Sequence, residues 1–272
     1  AGVDMSKWNV ANNSNYGSAN NEIQCYMARN ATVANGMLSL LGRPDTNVGC
    51  TGYGYSSAFL TTRAFQGNAQ KQSWTHGYIE VRMKAPEGNL WWPAFWAQGG
   101  DGSTAWPGYG ELDAVELYPA CPNAAFNTLH YDSNGHAQTN PDMANVANGT
   151  SNVSKGGCIT SASTSLAGAI TSAFHTYGVA WTPTKIIWTV DGRVSYTFDG
   201  TDNTMRWVEG STSQVRQFPA PTTNFWNQPH TITLNLAMGG DGPGYFGWSP
   251  TNTIGSSTGA MQVDYVRQWN MP

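Results

Sequence analysis

The chain has 272 residues and a net charge of −4, from 13 basic and 17 acidic side chains. It carries no basic stripe, which excludes a nucleic-acid grip and disfavours sulfated polymers as partners. No run reaches the roughly 18 apolar residues of a membrane span, and low charge with 31 Gly, 12 Trp and 12 Tyr suits an exported carbohydrate-active protein.

Residues 1–22 are polar and turn-rich. Glu22 to Met27 reads as a short strand. Thr32 to Leu41 contains Asn35-Gly36, a hairpin or bend signal. Phe59 to Phe65 is a further strand. Gly77 to Ala85 alternates Ile79, Val81 and Met83 with Glu80, Arg82 and Lys84, the mark of a strand with one wet face. Leu90 to Gln98 is nearly all apolar and hence buried, and Pro93 there predicts a bulge or a sheet edge. Gly110 to Tyr118 and Phe126 to Tyr131 follow as strands.

Residues 132–172 are rich in Asn, Ser, Thr, Gly and Ala, a long segment that reads as the wall of a groove. Phe174 to Trp181 is a strand. Ile186, Trp188 and Val190 lead into Asp191-Gly192, and Val194, Tyr196 and Phe198 return as the second arm of a hairpin. Ile232, Leu234, Leu236 and Met238 give one apolar face of a strand, with Thr231, Thr233 and Asn235 on the other. Met261 to Trp269 is the last strand. No amphipathic helix of three turns, no repeat and no composition break is visible. The expectation is a single all-β domain over 1–272, a sandwich or a barrel.

Cys25, Cys50, Cys121 and Cys158 allow three pairings. Cys25–Cys50 and Cys121–Cys158 are preferred because each closes a local loop, and an exported chain favours bridges over free thiols. No C-x-x-C spacing points to zinc.

The acidic strand needs a device. Side chains alternate along a strand, so Glu111 and Asp113 share a face while Glu116 falls on the opposite one. There it would lie unpaired among apolar residues, which is costly. A bulge at Ala114-Val115 resets the alternation and turns all three acids to one side. Trp91-Trp92-Pro93-Ala94-Phe95-Trp96 and Trp106-Pro107-Gly108 lie just before this strand, and acids bracketed by indoles read as a sugar-cleaving site. Like charges this close cannot all ionise, so one carboxyl keeps its proton. Two Glu Cα atoms about 13 Å apart must lean together to reach the roughly 5–5.5 Å of retaining enzymes or the 6.5–9.5 Å of inverting ones. Spacing alone leaves the stereochemistry open.

Seven motifs follow one another along the chain: Asn20-Asn21-Glu22-Ile23-Gln24, Tyr55-Ser56-Ser57-Ala58, Trp92-Pro93-Ala94-Phe95-Trp96, Trp106-Pro107-Gly108-Tyr109-Gly110, Glu111 through Glu116, Asn235-Leu236-Ala237-Met238-Gly239-Gly240 and Val263-Asp264-Tyr265-Val266-Arg267. Taken together they resemble glycoside hydrolase family 16, in its bacterial laminarinase-like endo-β-1,3-glucanase branch. The resemblance implies a concanavalin-like β-jelly-roll of two curved antiparallel sheets, with a substrate groove on the concave face. It implies retaining hydrolysis of β-1,3-glucan, with Glu111 as nucleophile, Glu116 as acid/base and Asp113 as the assisting carboxylate. An agar- or galactan-cleaving enzyme and a non-catalytic glucan-binding protein are the alternatives.

The same resemblance assigns Trp92 and Trp106 to sugar stacking, while Trp96 either joins them or lies under the floor. His130 and Asn21 match sugar-contacting positions, and Asn235 lies on the polar face of its strand. Asp264 resembles the carboxylate of a structural calcium site; no cofactor is expected for the chemistry. A secreted monomer acting on polysaccharide, with no membrane partner, is the expectation. Phe59 stands where the family commonly has Arg, Asp241-Gly242-Pro243-Gly244 replaces a Trp-bearing loop, and the usual opening strand before Asp4 is missing.

Overall fold

Alternation of side chains decides which face of a strand is buried, as along Gly77–Lys84, where every second residue is buried, and the described residues form eighteen strands. The computed structural model describes residues 2–100, 106–133, 136–138, 169–209, 212–221, 225–247, 249 and 258–270. In chain order the strands begin with β1 (Asn9–Val10), β2 (Gln24–Tyr26), β3 (Ala31–Ala34), β4 (Met37–Pro44), β5 (Tyr55–Ser57) and β6 (Phe59–Thr61). Next come β7 (Gly77–Lys84), β8 (Trp91–Gly99), β9 (Glu111–Glu116), β10 (Phe126–Ser133), β11 (His136–Gln138) and β12 (His175–Trp181). The last six are β13 (Lys185–Val190), β14 (Arg193–Asp199), β15 (Thr204–Glu209), β16 (Thr212–Gln217), β17 (His230–Met238) and β18 (Gly259–Trp269).

They form a two-sheet jelly-roll sandwich. One sheet of seven strands runs β1-β6-β17-β8-β9-β10-β11. The other runs β16-β15-β14-β13-β12-β7-β18-β4-β5-β2, with β3 on the side of β4. Pairing is antiparallel except between β2 and β5, which run parallel, a departure from two purely antiparallel sheets. Phe95, Leu112, Val115, Leu234 and Leu236 of the first sheet meet Ile79, Val81, Val179, Trp188 and Val263 of the second in one buried core. Burying such side chains contributes about 1.5–3 kcal/mol each, which fixes the register of every central strand.

The two hairpin signals act as turn chemistry requires. Asn35 and Gly36 have φ of 51° and 77°, and Asp191 and Gly192 have φ of 50° and 74°. Both pairs thus take the left-handed conformation that matches strand twist. The strand expected over Phe59 to Phe65 ends at Thr61, where Asn9 of β1 stops pairing with it. Pro93 is neither at an edge nor on the bulged strand, because β8 lies between β17 and β9. Pairing with β9 ends at Ala94↔Glu116, and Pro93 contributes only its carbonyl, to Leu117 N–H. The missing donor therefore falls where the ladder stops. The hairpin of β15 and β16 was not anticipated; no residue of β16 is buried, so no apolar face marks it in the sequence.

Cys25 and Cys50 form a disulfide. Cys121 is disulfide-bonded, and its expected partner Cys158 lies outside the described residues. So does most of the segment read as a groove wall. Among the described residues no helix is long and apolar enough to cross a membrane.

Candidate active site

The outer face of the seven-stranded sheet carries a cleft of ≈ 430 Å³, floored by β8, β9 and β17. Glu111, Asp113 and Glu116 all line it. The bulge that makes this possible sits at Ala114. On the β8 side Phe95 pairs with Val115 and Trp96 with Asp113, so Ala114 has no partner. On the β10 side Phe126 pairs with Glu116 and Thr128 with Asp113, so Asn127 faces two residues at once. A bulge frees backbone groups that must find new partners. Asn127 Nδ2 donates to the Ala114 carbonyl at 2.6 Å, and Ser195 Oγ donates to Asn127 Oδ1 at 2.9 Å. Trp188 Nε1 donates to the Asp113 carbonyl at 2.9 Å from the opposite sheet. The irregularity is thus anchored through the core. Gly110 opens the strand at φ 80°, and a Cβ there would meet the Phe225 ring at 2.6 Å.

Each glutamate is held by an indole. Trp92 Nε1 donates to Glu116 Oε1 at 2.7 Å. Trp106 Nε1 donates to Glu111 Oε2 at 3.1 Å. Gln98 Nε2 donates to the same Glu111 oxygen at 3.0 Å. Trp106 is 41% exposed, a large apolar ring left open to the cleft. Its ring centroid lies 5.3 Å from that of His130. His130 Nε2 is 3.3 Å from Asp113 Oδ2 and 4.0 Å from Glu111 Oε1. No hydrogen bond joins Asp113 to Glu111 among the described residues, and Asp113 Oδ2 is buried without a bonded partner.

Burial raises all three acids. Glu111 is pushed up to about 8 by burial first and by the Asp113 charge second, with His130 and the Trp106 donor acting downward. Glu116 is pushed up to about 8 by burial and then by Asp113. Burial alone raises Asp113 to about 8. The three titrate as one unit, so the first to ionise discourages the others. Both glutamates accept donors that favour their anions, Glu111 from Trp106 and Gln98 and Glu116 from Trp92 and Tyr118.

These shifts have a stability consequence. A carboxyl whose folded pKa exceeds its unfolded value supports the fold below the unfolded pKa, and that support is lost as pH rises through the folded one. For Glu111 the window runs from 4.5 to about 8. Glu111→Gln removes the burden, so the variant is expected to melt above the native protein at pH 8, by an amount corresponding to about 2–5 kcal/mol. The gain should vanish near pH 4.5. Melting curves of both proteins across that range check it, and an equal gain at both ends would contradict it.

The remaining expected residues divide. Trp96 lines the cleft, and its Nε1 donates to Asn235 Oδ1 at 2.8 Å. Asn235 Nδ2 in turn reaches Tyr26 OH at 3.2 Å, and Tyr26 OH donates to Glu22 Oε2 at 3.3 Å. Asn235 therefore braces Trp96 and Tyr26 with both ends of its amide. Asn21 does not line the cleft: it turns at φ 57° and donates to Asp241 Oδ1 at 2.9 Å. Its neighbours Asn20 and Glu22 line it instead. Gln24, Asn20 and Tyr26 all donate to Glu22, whose pKa burial raises.

Gln98, Tyr16 and Tyr109 also line the cleft and were not anticipated. Gln98 had a signal: it shares parity with Trp92 and Trp96 and is the polar member of an apolar strand. Phe59, in place of the family's Arg, packs its ring 5.0 Å from Tyr16 and 5.3 Å from both Tyr26 and Phe65. The cationic contact is replaced by an aromatic wall.

Asp264 lies away from the cleft, on a larger hollow of ≈ 820 Å³ that Trp8, Leu38, Leu60 and Ile232 also line. Arg82 Nη1 sits 2.6 Å from Asp264 Oδ2. That carboxylate already has its counter-charge, and the guanidinium repels a cation. Calcium takes six to eight oxygens, backbone carbonyls among them, and at Asp264 it would have to displace this exposed guanidinium. Among the described residues the donor atoms that could hold a metal ion are those of Glu111, Asp113 and His130, all within 4.8 Å of one another.

Comparison with known proteins agrees with this geometry. The model of the family described as Glycosyl hydrolases family 16 matches residues 53–224. A beta-glucanase of Rhodothermus marinus is 30% identical over 273 residues, covering 97% of this chain and 79% of that protein. A glucan endo-1,3-beta-glucosidase of Cryptopygus antarcticus is 28% identical over 277 residues, covering 97% of this chain and 86% of its own. The solved laminarinase from Rhodothermus marinus superposes with a TM-score of 0.66 at 27% identity, over 98% of this chain and 91% of that one.

Proposed function

Because the chain belongs to glycosyl hydrolases family 16, we propose that it is an endo-acting β-1,3-glucanase working by retaining double displacement. The observation that carries this reading is the bulge at Ala114, which brings three buried carboxyls to one aromatic-lined cleft. Glu116 protonates the leaving oxygen while Glu111 attacks the anomeric carbon. Water then hydrolyses the glycosyl-enzyme, with Glu116 as base. Asp113 and His130 set the local charge that lets one glutamate ionise while the other holds its proton.

The aromatic rings supply binding. Trp92 and Trp106 stack sugar faces beside the scissile bond, and the Tyr16–Phe59 wall extends that surface. An exported monomer is the form we propose. The Cys25–Cys50 bridge suits an oxidising compartment, and the exposed large apolar side chains are dispersed, Met5 and Trp106 in turns and Val194, Val215 and Trp269 on three different strands.

Product analysis on laminarin, lichenan and agarose tests the substrate class. Laminari-oligosaccharides of mixed length from laminarin are the expected products. Release from agarose with none from laminarin would overturn the glucan assignment, and tight laminarin binding with no product would overturn catalysis.

A further inference from the structure

Gln98 is not a passive neighbour of Glu111. It lies on β8 directly across from Glu111 in register, and it is 5% exposed. Its amide makes three of its four possible hydrogen bonds. Oε1 accepts from Arg63 Nη1 at 2.7 Å. Nε2 donates to Glu111 Oε2 at 3.0 Å and to Tyr109 OH at 3.1 Å. Arginine has donors only, so the amide oxygen must be the end that faces it. The two amide hydrogens are then compelled to face Glu111 and Tyr109.

Arg63 is itself fixed. Asn9 Nδ2 donates to its carbonyl at 2.7 Å, and its backbone N–H donates to Thr61 Oγ1 at 3.2 Å. The guanidinium carbon lies 6.0 Å from the Tyr16 ring centroid, on the cleft wall. It makes no ion pair with a carboxylate among the described residues.

We propose that Arg63 and Gln98 form a positioning pair that locks the Glu111 carboxylate, tying down Oε2 and leaving Oε1 to attack the sugar. With Trp106 the pair puts two donors on Oε2. Oε1, on the His130 side, accepts no hydrogen bond among the described residues. Without Arg63 the amide can rotate by 180° and present its oxygen to Glu111, replacing a donor with a repelling acceptor. The proposal rests on Glu111 being the nucleophile.

The test compares wild type, Gln98→Leu, Arg63→Met, the double variant and Arg63→Lys on laminarin. Gln98→Leu should lower kcat about 10–100-fold with KM changed by at most about threefold. The acid limb of its kcat/KM profile should move up by about one pH unit, because a lost donor disfavours the anion. Arg63→Met should move both in the same direction by less, the double should be no worse than Gln98→Leu, and Arg63→Lys should stay near wild type. An unmoved acid limb, or additive losses in the double, would overturn the pair.

Titration of the Glu111 carboxyl by carbon-13 NMR reads the same lock without turnover. An upward shift in Gln98→Leu supports it and an unchanged titration overturns it, even if the wild type cleaves no glucan. Failure of the nucleophile assignment shows separately, as a Glu111→Gln protein that still turns over. Melting temperatures of all variants, together with Arg63→Lys, separate misfolding from loss of the lock.

Discussion

Glu111→Gln and Glu116→Gln are each expected to lower kcat on laminarin by on the order of 10⁴-fold or more, with oligosaccharide affinity changed only a few-fold. The amide keeps the size of the side chain and the donor contacts from Trp106, Gln98 or Trp92 can be retained at its oxygen. What it loses is chemistry. At 111 the amide is too poor a nucleophile to displace a sugar oxygen; at 116 it has no proton to give. On the proposed reading, binding rests on the ring faces of Trp92 and Trp106 and on the cleft wall, and both variants leave those rings in place.

The two variants should part on a substrate that needs no protonation. With an aryl glycoside of low leaving-group pKa, Glu116→Gln should form the glycosyl-enzyme at near-native rate and stall at hydrolysis. Glu111→Gln should remain inert. Steady-state kinetics on laminarin and burst kinetics on the aryl substrate measure both. Wild-type-like turnover in either variant sinks the assignment of roles.

The second large effect concerns strand parity. Deleting Ala114 alone should be tolerated, whereas deleting both Ala114 and Val115 should abolish hydrolysis. Ala114 is the unpaired residue on the β8 side. Its removal leaves Val115 opposite Phe95 and Asp113 opposite Trp96 with no gap, and all three acids still alternate onto the cleft face. The deletion strands Asn127 Nδ2, which had held the Ala114 carbonyl, at a cost of about 1–3 kcal/mol.

The double deletion instead seats Glu116 next after Asp113, opposite Phe95, and turns it into the core, where an unpaired carboxyl costs about 3–5 kcal/mol. Activity should fall less than about 100-fold in the single deletion and at least 10⁴-fold in the double, by the arithmetic of lost transition-state contacts. Melting curves should rank the two the same way. A single deletion as inactive and unstable as the double would mean that parity is not what the bulge provides.

The need for that bulge was legible in the sequence because Glu116 has the wrong parity for its surroundings, and a buried charge is too costly to leave there. What holds the bulge was not legible. Asn127, Ser195 and Trp188 are distant in sequence, and only the packing of one sheet on the other brings them to the freed carbonyls. The indoles of Trp92 and Trp106 were read as stacking rings; that their N–H groups also clamp the two glutamates is a matter of ring orientation, which no pattern encodes.

Two further residues illustrate the limit of matching a motif position by position. Asn21 follows the family pattern, yet its left-handed turn aims it at Asp241. Asp264 follows it too, but Arg82 on the adjacent β7 takes its charge, and that pairing depends on the register shift between Val263 and Tyr265. The hairpins at Asn35-Gly36 and Asp191-Gly192 were the easy case, because a left-handed turn needs those residue types locally.

The most direct measurement is covalent trapping. A 2-deoxy-2-fluoro β-1,3-glucosyl disaccharide with a good leaving group slows the second step and lets the glycosyl-enzyme accumulate. Mass spectrometry of the peptide spanning 111–116 is then expected to show a single sugar adduct on Glu111. An adduct on Glu116, on Asp113 or on any residue outside the cleft would contradict the account, as would turnover of laminarin to a first-formed α-anomer.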